Sequence, residues 1–203
     1  VNDIIGLIPA LGKETAVVVG HDWGAPTAWA CALNHPGVVR AVGGLSVPFM
    51  PRSPVPPMSL LREMFKGQFF YQLYFYEPGV AEAEFEADIR MALKKFLVMA
   101  GGETDLSALP AKQEGDDMFS NLPEPDELPE WVTEADLDFY EGEFRRSGMR
   151  GPLNYYRNHD LTWELTKDAP QTISQPAFFI AGDNDGVVMM AQEAIKIMPH
   201  FVT

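Results

Sequence analysis

The sequence has little cysteine, no sizeable cluster of basic residues and no long apolar run. Cys31 is the only cysteine, which excludes an intramolecular disulfide and favours a reducing, cytoplasmic compartment. The 15 Lys and Arg against 29 Asp and Glu give a net charge of −14, and no basic run exceeds the pairs Lys94-Lys95 and Arg145-Arg146. This charge argues against nucleic acid and anionic membrane surfaces as partners. No apolar run approaches the roughly 20 residues of a membrane span.

The composition that remains is that of a globular protein. Hydrophobic residues make up 46% and charged residues 22% of the 203 positions, enough for one core with a lid. The chain opens on Val1 within a helical pattern and stops at Thr203, where a strand is expected to begin. We therefore expect an internal fragment of a longer protein, in which a signal peptide is not assessable.

Helix and strand patterns alternate along the first part of the chain. An apolar stripe at i, i+3, i+4, i+7 predicts a helix over 3–11, closed by Gly12. An unbroken apolar run predicts a buried strand over 16–20. Small residues predict a helix over 24–33, and a second strand is expected over 38–46. This alternation predicts the α/β class with a parallel sheet.

The composition changes after Pro48, where prolines crowd a connector and strand patterns stop. Helices rich in Phe, Met and Tyr are expected next, including one continuous helix over 80–99. The sheet is expected to return with a strand over 176–182 and a helix over 187–198. Such a helical insertion is typical of a lid over the carboxyl ends of the strands, where α/β proteins bind ligands. We predict a core over 1–50, a helical cap over 51–170 and the rest of the core over 171–203.

Two local patterns within the insertion give more detailed predictions. The acidic, proline-rich stretch 114–130 is expected to form a solvated loop. Thr133-Glu134-Ala135-Asp136 resembles a capping box, which opens a helix that ends at Gly148.

The stretch Gly20-His21-Asp22-Trp23-Gly24 connects a strand to a helix by a sharp turn. Such a turn holds its middle residue in a strained conformation above the sheet, and it needs small neighbours, here Gly20 and Gly24. A carboxylate at this position favours attack on saturated carbon, because the resulting ester can be cleaved by water. Asp22 therefore indicates an epoxide or a halogenated alkane as substrate. The alternative is that Asp22 merely caps the following helix.

Two tyrosine-rich segments of the insertion, 71–75 and 151–158, supply candidate proton donors. Phenols stay protonated at neutral pH and can donate to an oxygen that is becoming an alkoxide. The alternative is that these aromatic side chains only pack within the lid. Asp185 follows a late strand, in the place of the acid that orients a histidine, although it also suits an ordinary turn. Asp183 is the second candidate for that acid.

These motifs together resemble the soluble epoxide hydrolases of the α/β-hydrolase fold. The resemblance is carried by the turn at 20–24, the segments 71–75, 77–82 and 150–158, and Gly182-Asp183-Asn184-Asp185. It implies an α/β-hydrolase core with a mostly parallel sheet and an inserted helical cap, truncated at both ends. It also implies a small apolar epoxide and water as reactants, with no cofactor.

The resemblance assigns a role to each matching residue. Asp22 is implied as the nucleophile, Tyr71 and Tyr156 as donors to the epoxide oxygen, and Asp185 as the acid. The backbone N–H of Trp23 is implied as half of the oxyanion hole. Tyr155 stands where many relatives have tryptophan, which we expect to reshape the pocket. No set of His, Cys and Asp has the spacing of metal ligands, so no metal is expected.

The resemblance also places the catalytic histidine beyond residue 203 and the upstream half of the oxyanion hole before residue 1. We therefore expect this chain to be alkylated at Asp22 without turning the ester over. Two alternatives stay open: a haloalkane or haloacid dehalogenase that uses the same aspartate, and a non-catalytic α/β-hydrolase relative that binds a ligand. The sequence does not indicate an oligomeric state.

Overall fold

A computed structural model describes residues 1–101 and 109–202. The chain divides into two compact units. One comprises Val1–Arg52 and Leu165–Thr203, and we call it the sheet unit because it contains the strands. The other comprises Ser53–Glu164, and we call it the helical unit.

The elements follow one another along the chain in the order that the sequence predicts, with strands on both sides of a helical insertion. They are α1 (Asn2–Ala10), β1 (Ala16–His21), α2 (Gly24–Asn34), β2 (Val39–Leu45), α3 (Pro57–Met64), α4 (Tyr71–Tyr76), α5 (Val80–Ala87), α6 (Ile89–Ala100), α7 (Glu134–Ser147), α8 (Arg150–Arg157), α9 (His159–Leu165), β3 (Ala177–Ile180), α10 (Gly186–Met190), α11 (Gln192–Ile197) and a 3₁₀ turn (Met198–His200).

The three strands form a parallel sheet in the order β1-β2-β3, which confirms the predicted class. His21 at the end of β1 lies opposite Leu45 of β2, and Leu45 lies opposite Ile180 of β3. The carboxyl ends of all three strands therefore lie along one edge of the sheet. Asp22 and Asp185 both follow strands at this edge.

Two adjacent glycines in β2 allow close packing on the two sides of the strand. A Cβ on Gly44 would come within 2.3 Å of the ring of Trp29, the large buried side chain of α2. A Cβ on Gly43 would come within 2.2 Å of the ring of Phe178 in β3. Real Cβ atoms do not tolerate such distances, so both positions require glycine for these rings to pack where they do.

The prediction that β1 is fully buried is wrong. Its side chains alternate between half-buried and exposed, and Val17 and Val19 are 42% and 50% exposed. Helix α2 packs against β1, and successive side chains of a strand point to opposite faces, so only one face is covered. Helix α1 has the predicted bounds to within one residue, and Gly12 follows it at φ +72°. Of its apolar stripe, however, only Ile8 is buried.

The predicted single helix over 80–99 is interrupted at Asp88, which separates α5 from α6. Asp88 has φ −146° and is the N-cap of α6. Its carboxylate accepts a hydrogen bond from the Met91 backbone N–H at 3.0 Å. Aspartate is a preferred N-cap because its side chain satisfies an otherwise unpaired helix donor. This local bond ends one helix and begins the next.

The stretch 114–130 contains no helix or strand, as predicted, but it is not simply a solvated loop. Met118 and Phe119 are buried in the core of the helical unit. Their backbone N–H groups both donate to the carboxylate of Glu84 on α5, each at 2.9 Å. This pair of charge-assisted hydrogen bonds fixes the loop against α5, and the sequence pattern gave no sign of it.

The capping box at Thr133 is confirmed. The Thr133 N–H donates to Asp136 at 2.9 Å, and the Asp136 N–H donates to the Thr133 hydroxyl at 3.2 Å. Helix α7 ends where Gly148 takes φ +71°, also as predicted. The prediction of one continuous helix over 187–198 is wrong. The helix breaks at Ala191, which separates α10 from α11. The Ala191 N–H there is shared between the carbonyls of Val187 and Val188.

Candidate active site

The turn between β1 and α2 holds Asp22 in a left-handed backbone conformation, with φ +50°. A non-glycine residue pays roughly 1–2 kcal/mol for this conformation, so the surrounding contacts must hold it. The Asp22 N–H donates to the Leu45 carbonyl of β2 at 3.2 Å, and the Asp22 carbonyl accepts from the Ala25 N–H at 3.0 Å. The predicted strained turn is therefore present at the carboxyl edge of the sheet.

The two glycines that flank this turn are not equivalent. A Cβ on Gly20 would lie 1.9 Å from the Gly24 carbonyl oxygen and 2.7 Å from the Ala25 nitrogen. A Cβ on Gly24 would meet nothing within 4 Å. The turn thus needs a glycine before Asp22 but not after it, which corrects the expectation that both are required.

The Asp22 carboxylate is exposed and lies against the backbone of the next residue. Its Oδ1 accepts a hydrogen bond from the Trp23 N–H at 2.7 Å. Trp23, not Asp22, is the N-cap of α2, and no side-chain bond caps this helix. The alternative that Asp22 serves as a helix cap is therefore wrong. The indole of Trp23 is only half-buried, whereas Trp29 occupies the core behind the turn.

Asp185 is half-buried and is the N-cap of α10, where its Oδ1 accepts from the Val187 N–H at 2.8 Å. The turn role considered for this residue is thus real. Because the capping bond uses Oδ1, it is compatible with a further role for Oδ2 toward a histidine. Asp183, the second candidate, is exposed.

The structure brings the two predicted phenols together within the helical unit. The rings of Tyr71 on α4 and Tyr156 on α8 meet edge to face, with centroids 5.9 Å apart and planes at 83°. Phe75 contacts both rings, at 5.8 Å from Tyr71 and 4.9 Å from Tyr156. Both tyrosines are half-buried. Sequence spacing alone could not show this convergence, because the two residues are far apart in the chain.

A further contact of each tyrosine segment was missed by sequence reasoning. The Tyr71 hydroxyl accepts from the Gln72 amide at 2.9 Å. Next to Tyr156, Arg157 forms a bidentate pair with Glu82 of α5, at 2.6 and 2.7 Å. The two side chains are 12% and 15% exposed, and the hydrogen bonds from Arg157 hold the pKa of Glu82 below its usual value. This ion pair fixes the end of α8 that carries Tyr156.

The four histidines lie at separate places in the chain. His21 and His200 are exposed, and His35 is half-buried. His159 belongs to the helical unit, and burial lowers its pKa. Across the described residues, no group of three or more His, Cys, Asp or Glu side chains could hold a metal ion. None of the helices in residues 1–101 and 109–202 combines the length and apolar composition needed to cross a bilayer.

Comparison with known proteins gives the class to which this fold and turn belong. The α/β-hydrolase fold family matches residues 3–200. The chain belongs to this family.

Within the family, the chain is similar to proteins that are named epoxide hydrolases. It is 44% identical over 189 residues to epoxide hydrolase A of Mycobacterium tuberculosis, a match that covers 92% of this chain and 59% of the relative. It is 40% identical over 203 residues to bifunctional epoxide hydrolase 2 of Sus scrofa, covering 98% of this chain and 36% of the relative. The chain thus spans little more than half of the length of the first relative and about a third of the length of the second.

Solved structures give the same result. The crystal structure of epoxide hydrolase A from Mycobacterium thermoresistibile superimposes with a TM-score of 0.90 at 40% sequence identity, covering 98% of this chain and 63% of that chain. An epoxide hydrolase from an endophytic Streptomyces gives a TM-score of 0.89 at 40% identity, with 98% and 62% coverage. The resemblance to epoxide hydrolases inferred from the motifs is confirmed.

Proposed function

We propose that this chain carries the nucleophile and the lid donors of an epoxide hydrolase, which converts a small apolar epoxide and water to a vicinal diol. The observation that carries the proposal is Asp22, held at φ +50° with its Oδ1 against the Trp23 N–H. The names of its relatives support the reaction class. We assign the helical unit as the cap, for which the sequence indicated the limits 51–170. From the single cysteine of the sequence we also propose a cytoplasmic location.

The first step forms an ester on Asp22. Oδ2 of the carboxylate attacks one carbon of the epoxide, and the bond between that carbon and the ring oxygen breaks. The electron pair goes to the ring oxygen, which takes a proton from the phenol of Tyr71 or Tyr156. A phenol suits this task because it is ordinarily protonated at neutral pH and can donate that proton.

The second step cleaves the ester at its carbonyl. Oδ1 of Asp22 becomes the carbonyl oxygen of the ester, and the Trp23 N–H already lies 2.7 Å from it. Attack by water on the carbonyl carbon moves negative charge onto Oδ1, where this N–H stabilises it. One oxyanion-hole donor contributes roughly 10²–10³-fold in rate. The bond between the carboxyl carbon and Oδ2 then breaks and frees the diol. Of the two protons of the water, one goes to the diol oxygen and the other restores the phenol, which leaves Asp22 as a carboxylate.

Ester cleavage also needs a base to take a proton from the water. The resemblance assigns this task to a histidine oriented by Asp185. None of the chain's own histidines matches that position; they are His21, His35, His159 and His200. We therefore expect the 203-residue chain to accumulate the Asp22 ester rather than turn it over.

The phenol pair favours an epoxide over the alternative substrate, a halogenated alkane. Both reactions use the Asp22 carboxylate in the same way. A halide leaves as a stable anion and needs no proton, whereas a ring oxygen becomes an alkoxide and does. A non-catalytic, ligand-binding relative would need neither the strained Asp22 nor Asp185.

The experiment compares alkylation of Asp22 by styrene oxide with alkylation by 1-bromobutane in single-turnover assays. Replacing both Tyr71 and Tyr156 by phenylalanine is expected to slow the epoxide reaction by about 10²–10⁴-fold, the usual worth of a general acid. The bromobutane reaction is expected to keep its rate. Tyr140→Phe, on α7 of the same unit and 41% exposed, is the control and should leave both rates unchanged. Equal losses with both substrates would refute the assigned role of the phenols.

A further inference from the structure

Ser46, directly after β2, has the same kind of strained backbone as Asp22. Its φ is +70°, and these two are the non-glycine residues with positive φ among residues 1–101 and 109–202. Ser46 is 8% exposed. It follows the central strand at the carboxyl edge of the sheet, between the strands that lead to Asp22 and Asp185. Strain of this kind persists only where surrounding contacts hold it, and it is concentrated at functional sites.

The strain belongs to a tight turn of three residues. The Val47 N–H donates to the Leu45 carbonyl at 2.9 Å, a bond that spans only two residues and encloses Ser46. A turn with this i to i+2 bond and a positive φ at its centre is the rare and strained form of the γ-turn. The chain therefore bends sharply at the end of β2.

The carbonyl that closes this turn also holds the nucleophile. The Leu45 oxygen accepts from the Asp22 N–H at 3.2 Å as well as from the Val47 N–H. A carbonyl oxygen can accept both bonds, because it has two lone pairs. The direction of this oxygen is thus set by the Ser46 turn, and the position of the Asp22 backbone depends on that direction.

Two more bonds connect the turn to the elements on either side. The Ser46 N–H donates to the Ile180 carbonyl of β3 at 3.0 Å. The Val47 carbonyl, turned inward, accepts from the indole nitrogen of Trp29 on α2 at 3.2 Å. Residues 45–47 therefore join the turn before α2, the helix α2 itself and the strand that leads to Asp185.

We propose that Ser46 is a positioning residue for Asp22, acting through its left-handed backbone. Its conformation directs the Leu45 carbonyl onto the Asp22 N–H and holds the nucleophile in register with β3. The backbone, not the hydroxyl, carries this role, so residues that accept positive φ should replace serine. Glycine and asparagine do so readily, alanine does so with strain, and β-branched residues do not. The catalytic part of the proposal rests on the alkylation of Asp22 proposed above.

The test is a series of substitutions at position 46, namely Ser46→Gly, Ser46→Asn, Ser46→Ala and Ser46→Val. The maximal rate of Asp22 alkylation by styrene oxide and the epoxide concentration at half that rate are measured for each. Ser46→Gly and Ser46→Asn are expected to keep the wild-type rate. Ser46→Val is expected to lose about 10²-fold in maximal rate, the usual effect of a misplaced reacting group, at an unchanged half-saturating concentration. Ser46→Ala should fall between them, and it carries the test if Ser46→Val does not fold.

Hydrogen exchange of the Asp22 amide, measured by NMR on the same proteins, gives a readout that needs no substrate. Exchange is expected to be faster in Ser46→Val or Ser46→Ala than in Ser46→Gly. Ile173→Val is the control, since Ile173 is fully buried in the same unit and its truncation lowers stability without altering the turn. Wild-type rates and exchange in Ser46→Val and Ser46→Ala would overturn the proposal, as would equal rate losses in Ile173→Val. If the wild-type chain forms no adduct, the proposed function fails. Hydrogen exchange of the Asp22 amide then still shows whether the Ser46 backbone holds Asp22 in position.

Discussion

Replacing Gly20 with alanine tests whether the geometry of the turn, rather than its glycine-rich sequence, controls the nucleophile. The new Cβ would lie 1.9 Å from the Gly24 carbonyl oxygen, 2.2 Å from the Gly24 carbonyl carbon and 2.7 Å from the Ala25 nitrogen. All three are backbone atoms of the first turn of α2, so no side-chain rotation relieves the clash. Either α2 or Asp22 must move.

Inserting a single methyl group into a packed site typically costs about 1–3 kcal/mol, and contact with backbone rather than side chains favours the upper end. We therefore expect Gly20→Ala to lower the free energy of unfolding by about 3 kcal/mol. A shift of Asp22 by about 1 Å should also slow its alkylation about 10²-fold. Urea unfolding followed by tryptophan fluorescence measures the first effect, and single-turnover alkylation by styrene oxide measures the second.

Gly24→Ala is the matched control, because it makes the same chemical change on the other side of Asp22. Its Cβ would meet nothing within 4 Å, and alanine is favoured over glycine in a helix by about 0.5–1 kcal/mol. We expect unchanged alkylation and equal or higher stability. If both substitutions are equally harmful, or if Gly20→Ala is tolerated, the steric account of the turn is refuted.

Two further predictions concern the helical unit. Glu82→Gln removes a carboxylate whose pKa in the folded protein is lowered by Arg157. The ionised carboxylate therefore stabilises the folded protein fully above the pKa of the unfolded chain, about 4.3, and this stabilisation is lost as the pH falls through the lower pKa of the folded protein. In urea titrations we expect Glu82→Gln to lower the free energy of unfolding by about 1.5–3 kcal/mol at pH 7 and by less at acid pH. The control Glu143→Gln, in an exposed pair with Arg146, should leave the free energy of unfolding unchanged at both pH values. A loss that is independent of pH would contradict the ion-pair explanation. Asp88→Ala removes the N-cap of α6 and is expected to cost about 0.5–2 kcal/mol in the same assay; Asp88→Asn, which can accept the same bond, should restore most of it, and failure to do so would contradict the capping role.

Local sequence patterns predicted the parts of the molecule that depend on neighbouring residues. The strained turn at Asp22, the capping box at Thr133 and the end of α7 at Gly148 each involve residues within a few positions of one another. The structure has all three. The parallel arrangement of the strands also followed from local patterns, because helix and strand patterns alternate along the first part of the chain.

Features that depend on distant residues were not predictable in this way. The ring of Phe178 lies where a Cβ on Gly43 would be. Phe178 is remote in the chain, and no residue near Gly43 in the sequence indicates this contact. The convergence of Tyr71 with Tyr156 depends in the same way on the packing of α4 against α8. The break at Asp88 shows a different limit, since a helical apolar stripe continues across it and only the capping bond ends the helix.

The most direct test of the account is the mass of the chain after exposure to styrene oxide. We expect the intact mass to rise by the mass of one epoxide molecule, and peptide mapping should place the adduct on Asp22. Asp22→Asn tolerates the left-handed turn and should acquire no adduct. Modification elsewhere, or no modification of a folded wild-type chain, would contradict the assignment of Asp22 as the nucleophile.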